Sequence, residues 1–122
     1  MKGRILLIED EPNIAEAIRF ILGRDGCDVS VMSDGTDAMA ILRTDPADLV
    51  ILDLMLPGLS GLDILSAIRA DPITKSIPVL MLTAKGQGRD RDAAERAGVS
   101  AFMTKPFANA DMRAVVHQLL AG

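Results

Sequence analysis

Short apolar runs alternate with stretches in which apolar residues recur every three or four positions, and the alternation repeats five times along the chain. Residues 5–8 predict a first strand, and Pro12 suits the first turn of the helix behind it. That helix sets Ile14, Ile18, Ile21 and Leu22 on one face and stops at Gly26. Residues 27–32 alternate apolar with polar, as in a less buried strand. Asp34 is placed to cap a second helix that carries Ala38, Ile41 and Leu42 on one side. Residues 48–52 predict the central strand, because Leu49-Val50-Ile51-Leu52 is apolar on both faces. Ser60-Gly61-Leu62-Asp63 has the spacing of a capping box and opens a third helix with Leu62, Leu65 and Ile68 inward. Asp71-Pro72 breaks that helix, and residues 77–82 predict a fourth strand.

The fourth helix, over about 89–97, differs in kind. Its only apolar side chains are Ala93, Ala94 and Ala97, with Gly86 and Gly88 just before it. Alanines gain little from the roughly 25 cal/mol per Å² that burial supplies, so this helix is expected to be the most easily displaced element. Residues 101–104 predict a short last strand, and Asn109 is placed to cap a final helix with Met112, Val115, Val116, Leu119 and Leu120 at helical spacing. Five strands alternating with five helices predict a parallel sheet with helices on both faces, joined by right-handed crossovers. The expected architecture is a doubly wound, three-layer α/β sandwich.

Composition narrows the function. The 122 residues predict one domain over 1–122, and 49% hydrophobic with 25% charged residues is the balance of a packed globule. A formal net charge of -4, with no Lys/Arg cluster, argues against nucleic-acid binding by this domain. The single cysteine, Cys27, excludes an intramolecular disulfide and fits a reducing compartment. The basic start is followed by only four apolar residues before Glu9-Asp10-Glu11, and no stretch has the length of a membrane span. The expected location is cytoplasmic, without membrane attachment.

The polar residues that follow the strands carry the chemistry. The first strand ends in Glu9-Asp10, the third in Asp53, the fourth in Thr83 and the fifth in Lys105-Pro106. A parallel sheet puts all four ends along one edge, where α/β proteins bind ligands. Three carboxylates brought together repel, and a hard divalent cation relieves the repulsion; Mg²⁺, which takes oxygen ligands and keeps waters, fits best. A hydroxyl and an ammonium beside them are what phosphoryl oxygens require. The set describes phosphoryl transfer to an aspartate, with Asp53 as nucleophile and Thr83 and Lys105 holding the transferred group.

In Glu9-Asp10 after ILLI, Asp53-Leu54-Met55-Leu56-Pro57-Gly58 after LVIL, Thr83-Ala84 and Lys105-Pro106-Phe107, the chain resembles the receiver domains of bacterial two-component response regulators. The resemblance covers the whole chain. It implies a flavodoxin-like sandwich with strand order 2-1-3-4-5, and Asp53 as phosphoacceptor from a sensor histidine kinase or a histidine phosphotransfer protein. It also implies Mg²⁺ held by Asp10, Asp53 and the backbone carbonyl of Met55, with Glu9 acting through water. Lys105 would contact the phosphoryl oxygens, its bond to Pro106 is expected to be cis, and Thr83 with Phe102 would form the switch pair. Such a domain catalyses only its own Mg²⁺-dependent phosphorylation and dephosphorylation, and is a monomer or a phosphorylation-dependent dimer. Its downstream target or fused effector is not named by these residues.

Several positions depart from the common pattern. Ser100 and Ala101 stand where many DNA-binding members carry two acids, and Val115 where they carry an arginine, so a charged dimer face is not expected. Met55 and Lys85 lack the amide or carboxylate that would orient an attacking water, which predicts a long-lived phosphoryl-aspartate. Met55 also excludes a haloacid-dehalogenase-type phosphatase, which needs a second acid there. The acids at 9–11 exclude a flavodoxin-type phosphate loop. The remaining alternative is a non-catalytic pseudo-receiver that serves only as a protein-interaction module. His117 beside the last apolar stripe is expected to be a surface residue.

Overall fold

The computed structural model describes residues 3–56, 59–84 and 88–122. Its elements run β1 (Gly3–Ile8), α1 (Pro12–Arg24), β2 (Cys27–Met32), α2 (Ala38–Thr44), β3 (Leu49–Asp53), α3 (Gly61–Ala70), β4 (Val79–Thr83), α4 (Gly88–Ala97), β5 (Ala101–Thr104) and α5 (Asn109–Ala121). All neighbouring strands pair in parallel, in the order β2-β1-β3-β4-β5. This is the doubly wound sandwich that the alternation of patterns predicts, in the flavodoxin-like strand order that the resemblance implies.

Two apolar layers hold it together, and the strand period of two divides β3 between them. Leu49 and Ile51 pack with Ile18, Leu22, Met112 and Val116 under α1 and α5. Val50 and Leu52 pack with Leu42, Leu65, Ile68 and Ala94 under α2, α3 and α4. Every residue of β3 and β4 is buried, which is why those runs are continuously apolar. β2 at the sheet edge alternates buried and exposed along its first four residues.

The helices differ in how firmly they are attached. α3 buries Ile64, Leu65 and Ile68, a gross gain of roughly 5–9 kcal/mol at about 1.5–3 kcal/mol per large aliphatic side chain. Its last turn is also stapled: Arg69 donates to the carbonyls of Gly98, Lys75 and Ile77 at 2.8, 3.0 and 2.7 Å. In α4 the only buried residue is Ala94. α4 is therefore the least anchored helix of the five.

Local punctuation follows the expectations at some ends and not at others. Gly26 adopts φ 95°, the left-handed conformation that glycine takes without a Cβ penalty, and turns the chain from α1 into β2. Ser60 accepts a hydrogen bond from the N–H of Asp63 at 3.2 Å, as the capping-box spacing predicts. Asp34 does not cap α2; it accepts from the N–H of Thr36 in a turn, and the helix begins after Asp37 without a side-chain cap. Asn109 is the first residue of α5 rather than its cap, a position that falls to Ala108. Ile41 points outward from α2 while Ala38 and Leu42 are buried. The fourth strand starts at Val79, two residues later than the apolar run suggests, because Ile77 closes the turn begun at Asp71 by bonding back to Thr74. No helix among the described residues is long and apolar enough to cross a membrane.

Candidate functional site

Strand register brings the four strand ends together. Ile8 pairs with Leu52, so Glu9 follows β1 beside Asp53. Asp53 pairs with Leu82, which places it next to Thr83. Thr83 pairs with Thr104, and the following Lys105 donates its backbone N–H to the Thr83 carbonyl at 2.7 Å. Four residues far apart in sequence thus meet at the carboxyl edge of the sheet.

The side chains form one ionic cluster. Lys105 Nζ lies 2.9 Å from Asp53 Oδ2 and 2.8 Å from Glu9 Oε1. The first contact is a hydrogen bond; the second is an ion-pair approach outside hydrogen-bond geometry. Asp53 Oδ1 accepts from the N–H of Met55 at 3.2 Å, and Glu9 Oε2 from the N–H of Glu11 at 3.2 Å. Glu9 and Asp53 are buried, Asp10 is exposed, and the three acids each offer an oxygen within 4.8 Å of the others. One ammonium therefore faces three carboxyl groups.

That imbalance shows in the protonation of Glu9. Burial, reinforced by a hydrogen bond shared with Asp53, raises its pKa to about 7, against the opposing pull of Lys105 and the Glu11 N–H. For Lys105, burial works against the charge, but the contacts with Glu9 and Asp53 outweigh it and hold the pKa above the usual lysine value.

Glu9 makes the metal-free fold sensitive to pH. The unfolded chain loses this proton near 4.5 and the folded one near 7. Between those values the native state holds the extra proton, so metal-free stability falls as pH rises through 4.5–7 and this contribution levels off above it. The loss is on the order of 1–3 kcal/mol. Urea unfolding of wild type and Glu9→Gln across pH 4–8 should show the decline in wild type only; parallel curves would contradict it.

Two features prepare the pocket for more than an internal ion pair. The hydroxyl of Thr83 is buried and has no hydrogen-bond partner among the described residues. The approach of α3 is equally tight. The N–H of Gly61 donates to the Leu54 carbonyl at 2.9 Å, and a Cβ there would stand 2.4 Å from the Asp53 carbonyl oxygen. Only glycine lets α3 pack against the backbone that carries Asp53. The sequence shows Gly61 inside a capping box, and nothing in it signals this second constraint.

The remaining predicted residues fall around the cluster. Met55 follows Asp53 by two, with its backbone N–H on the carboxylate and its side chain 65% exposed. The Lys105–Pro106 peptide is cis. Phe102 is half-buried on β5 and pairs with Met81, two register steps before the Thr104–Thr83 pair. The Arg91 guanidinium lies 4.8 Å from the centroid of its ring. Arg91 carries no sequence signal of this contact, because helical spacing does not say which strand a helix covers. His117 is exposed on α5, and Cys27 is buried at the start of β2. Pro57, Gly58 and Lys85 lie outside the described residues.

Known proteins resemble this chain in sequence and fold. A family model described as the response regulator receiver domain matches residues 5–117. The DNA-binding response regulator MtrA of Mycolicibacterium smegmatis is 39% identical over 107 residues, covering 88% of this chain and 46% of MtrA. The sensory transduction protein RegX3 of the same organism is 35% identical over 116 residues, covering 95% of this chain and 50% of RegX3. The chain thus spans about half the length of these curated relatives. Among solved structures, the signal receiver domain of a signal transduction histidine kinase from Syntrophus aciditrophicus superposes with a TM-score of 0.91 at 31% identity, covering 98% of this chain and 91% of that one. The chain belongs to the response regulator receiver domain family, and is a receiver of the kind carried by two-component signalling proteins.

Proposed function

We propose that this receiver takes a phosphoryl group on Asp53 and converts that event into a change of position of α4, β5 and α5. The observation that carries the reading is the pairing of a buried carboxylate, held at 2.9 Å by Lys105, with a buried hydroxyl on Thr83 that has no partner among the described residues. A buried hydroxyl left without a partner costs free energy, and a phosphoryl oxygen beside Asp53 would supply the acceptor it lacks. In the transfer, a carboxylate oxygen of Asp53 attacks phosphorus. The bond from phosphorus to its donor breaks, and the donor leaves with the electron pair. The donor is the imidazole nitrogen of a phosphohistidine on a sensor histidine kinase or a phosphotransfer protein, which the broken P–N bond returns to histidine.

The acid cluster fits Mg²⁺, with three hard oxygen donors in reach and a single lysine to offset them. Asp10, Asp53 and the Met55 carbonyl would hold the ion, with Glu9 acting through a water. Bound there, it would neutralise charge on the carboxylates and the incoming phosphoryl oxygens. Lys105 grips the phosphoryl group and Thr83 donates to it. The exposed thioether of Met55 offers no group to orient a water, so the phosphoryl-aspartate is expected to be long-lived. The catalysis is limited to this self-phosphorylation and its reversal.

The pseudo-receiver alternative differs in one outcome, the uptake of phosphate. With acetyl phosphate and Mg²⁺, intact mass should show one added phosphoryl group, and none after Mg²⁺ is removed with EDTA. No uptake with metal present, or equal uptake without it, would favour the interaction module.

At Ser100, Ala101 and Val115 the output surface lacks charges that many DNA-binding relatives carry. Ser100 accepts from the N–H of Val79 at 2.9 Å, and Val115 packs against the layer under α5. Both positions are used inside the domain. Any phosphorylation-dependent dimer through this face would therefore draw its ion pairs from other positions, among them the exposed Arg89, Asp92, Glu95 and Arg96 of α4. An effector following the receiver, as MtrA's length and name suggest, would read the same face.

A further inference from the structure

We infer that Arg91 is a latch on the switch: its guanidinium, seated on the ring of Phe102, holds the ring in its unphosphorylated position and ties α4 to β5. The inference rests on the proposed role of Phe102 as the switch ring. Four observations carry it. The Arg91 guanidinium carbon lies 4.8 Å from the ring centroid, inside the range of a cation–π contact. Phe102 has no hydroxyl, so its ring face is what it offers to a cationic partner. α4 buries only Ala94, so the helix has little else to fix it. Among the described residues, no other side chain of α4 makes a hydrogen bond, ion pair or ring contact to another element.

The geometry makes the contact conditional. Phe102 stands two register steps from the Thr104–Thr83 pair, on the same side of the sheet as Ala94, Ala97 and Val99. If the ring turns inward as Thr83 moves towards the phosphoryl group, it leaves the space beneath Arg91. The cation then returns to water and α4 loses its side-chain tie to β5. Arg91 is thus a positioning residue for the switch: it touches neither the acids nor the lysine, and it biases which ring position is occupied.

A contact of this kind at an exposed site corresponds to about a two- to fivefold change in an equilibrium constant. Arg91→Gln keeps length and polarity but removes the charge; Arg91→Lys keeps the charge. The chain has three phenylalanines, so ¹³C-labelled rings can be assigned by substitution. In the unphosphorylated protein, the Phe102 signals of Arg91→Gln should move towards their positions in wild type treated with acetyl phosphate and Mg²⁺. The inward population should rise about two- to fivefold, with Arg91→Lys closer to wild type. Initial phosphorylation rate should rise by the same factor in Arg91→Gln, but not when Phe102→Leu is already present. Unchanged Phe102 signals, or an equal rate effect in both backgrounds, would overturn the latch. A wild type that takes up no phosphoryl group would instead sink the proposed function. The latch would then be judged by whether the Phe102 signals of wild type and Arg91→Gln differ.

Discussion

Asp53→Asn should take up no phosphoryl group from acetyl phosphate under conditions that modify the wild type fully. An amide oxygen carries no negative charge with which to attack phosphorus, so the substitution removes the nucleophile and leaves the pocket's shape. The fold should survive, because the asparagine carbonyl oxygen can still accept one of the two bonds that the carboxylate takes from Lys105 and from the Met55 N–H, at the cost of the other. Metal-free stability near pH 8 should even increase. The hydrogen bond and repulsion from Asp53 are among the influences that push the Glu9 pKa up to about 7, and removing that charge relieves them. Uptake read by intact mass and stability read by urea unfolding make a paired assay. Residual uptake with an undamaged fold would mean that another residue is the acceptor.

Lys105→Met should slow phosphoryl uptake by about 10²–10³-fold, the usual effect of deleting one preorganised donor to a developing anion. Methionine keeps most of the length and loses the charge. Lys105 also bridges Glu9 and Asp53 at 2.8 and 2.9 Å, so its removal leaves two buried acids facing each other. Removing one partner of a buried pair costs about 3–5 kcal/mol. That cost should be largest above pH 7, where Glu9 is ionised, and should shrink as pH falls and Glu9 takes up a proton. Adding Mg²⁺ should recover part of the stability but not the rate. A variant with wild-type kinetics would remove Lys105 from the transfer site.

Much of this was legible in the sequence because burial on both faces of a parallel sheet leaves unmistakable runs. Leu49-Val50-Ile51-Leu52 could hardly be anything but a central strand, and the acid after it had to lie at the sheet's carboxyl edge. The bounds of β5 could be read as well. What could not be read depends on backbone conformation one residue away, or on packing between distant segments. Asp34 and Asn109 have the composition of caps, but the helices begin at Ala38 and after Ala108. Gly61 and Arg91 matter through contacts with Asp53 and Phe102, and no local spacing encodes either. The position of Lys105 after the last strand marks it as a phosphoryl contact, whereas its resting partners, Glu9 and Asp53, are visible only in the geometry.

The phosphoryl group is expected to reside on Asp53. Borohydride reduces an aspartyl phosphate to homoserine and leaves free carboxylates and phosphate esters alone, so it marks the acceptor chemically. Wild-type protein treated with acetyl phosphate and Mg²⁺, then with borohydride and digested, should yield homoserine at position 53 and nowhere else. Homoserine at Asp10 or Glu-derived reduction at position 9, phosphate found on His117, or a peptide spanning 49–56 left unreduced in fully phosphorylated protein would contradict the account.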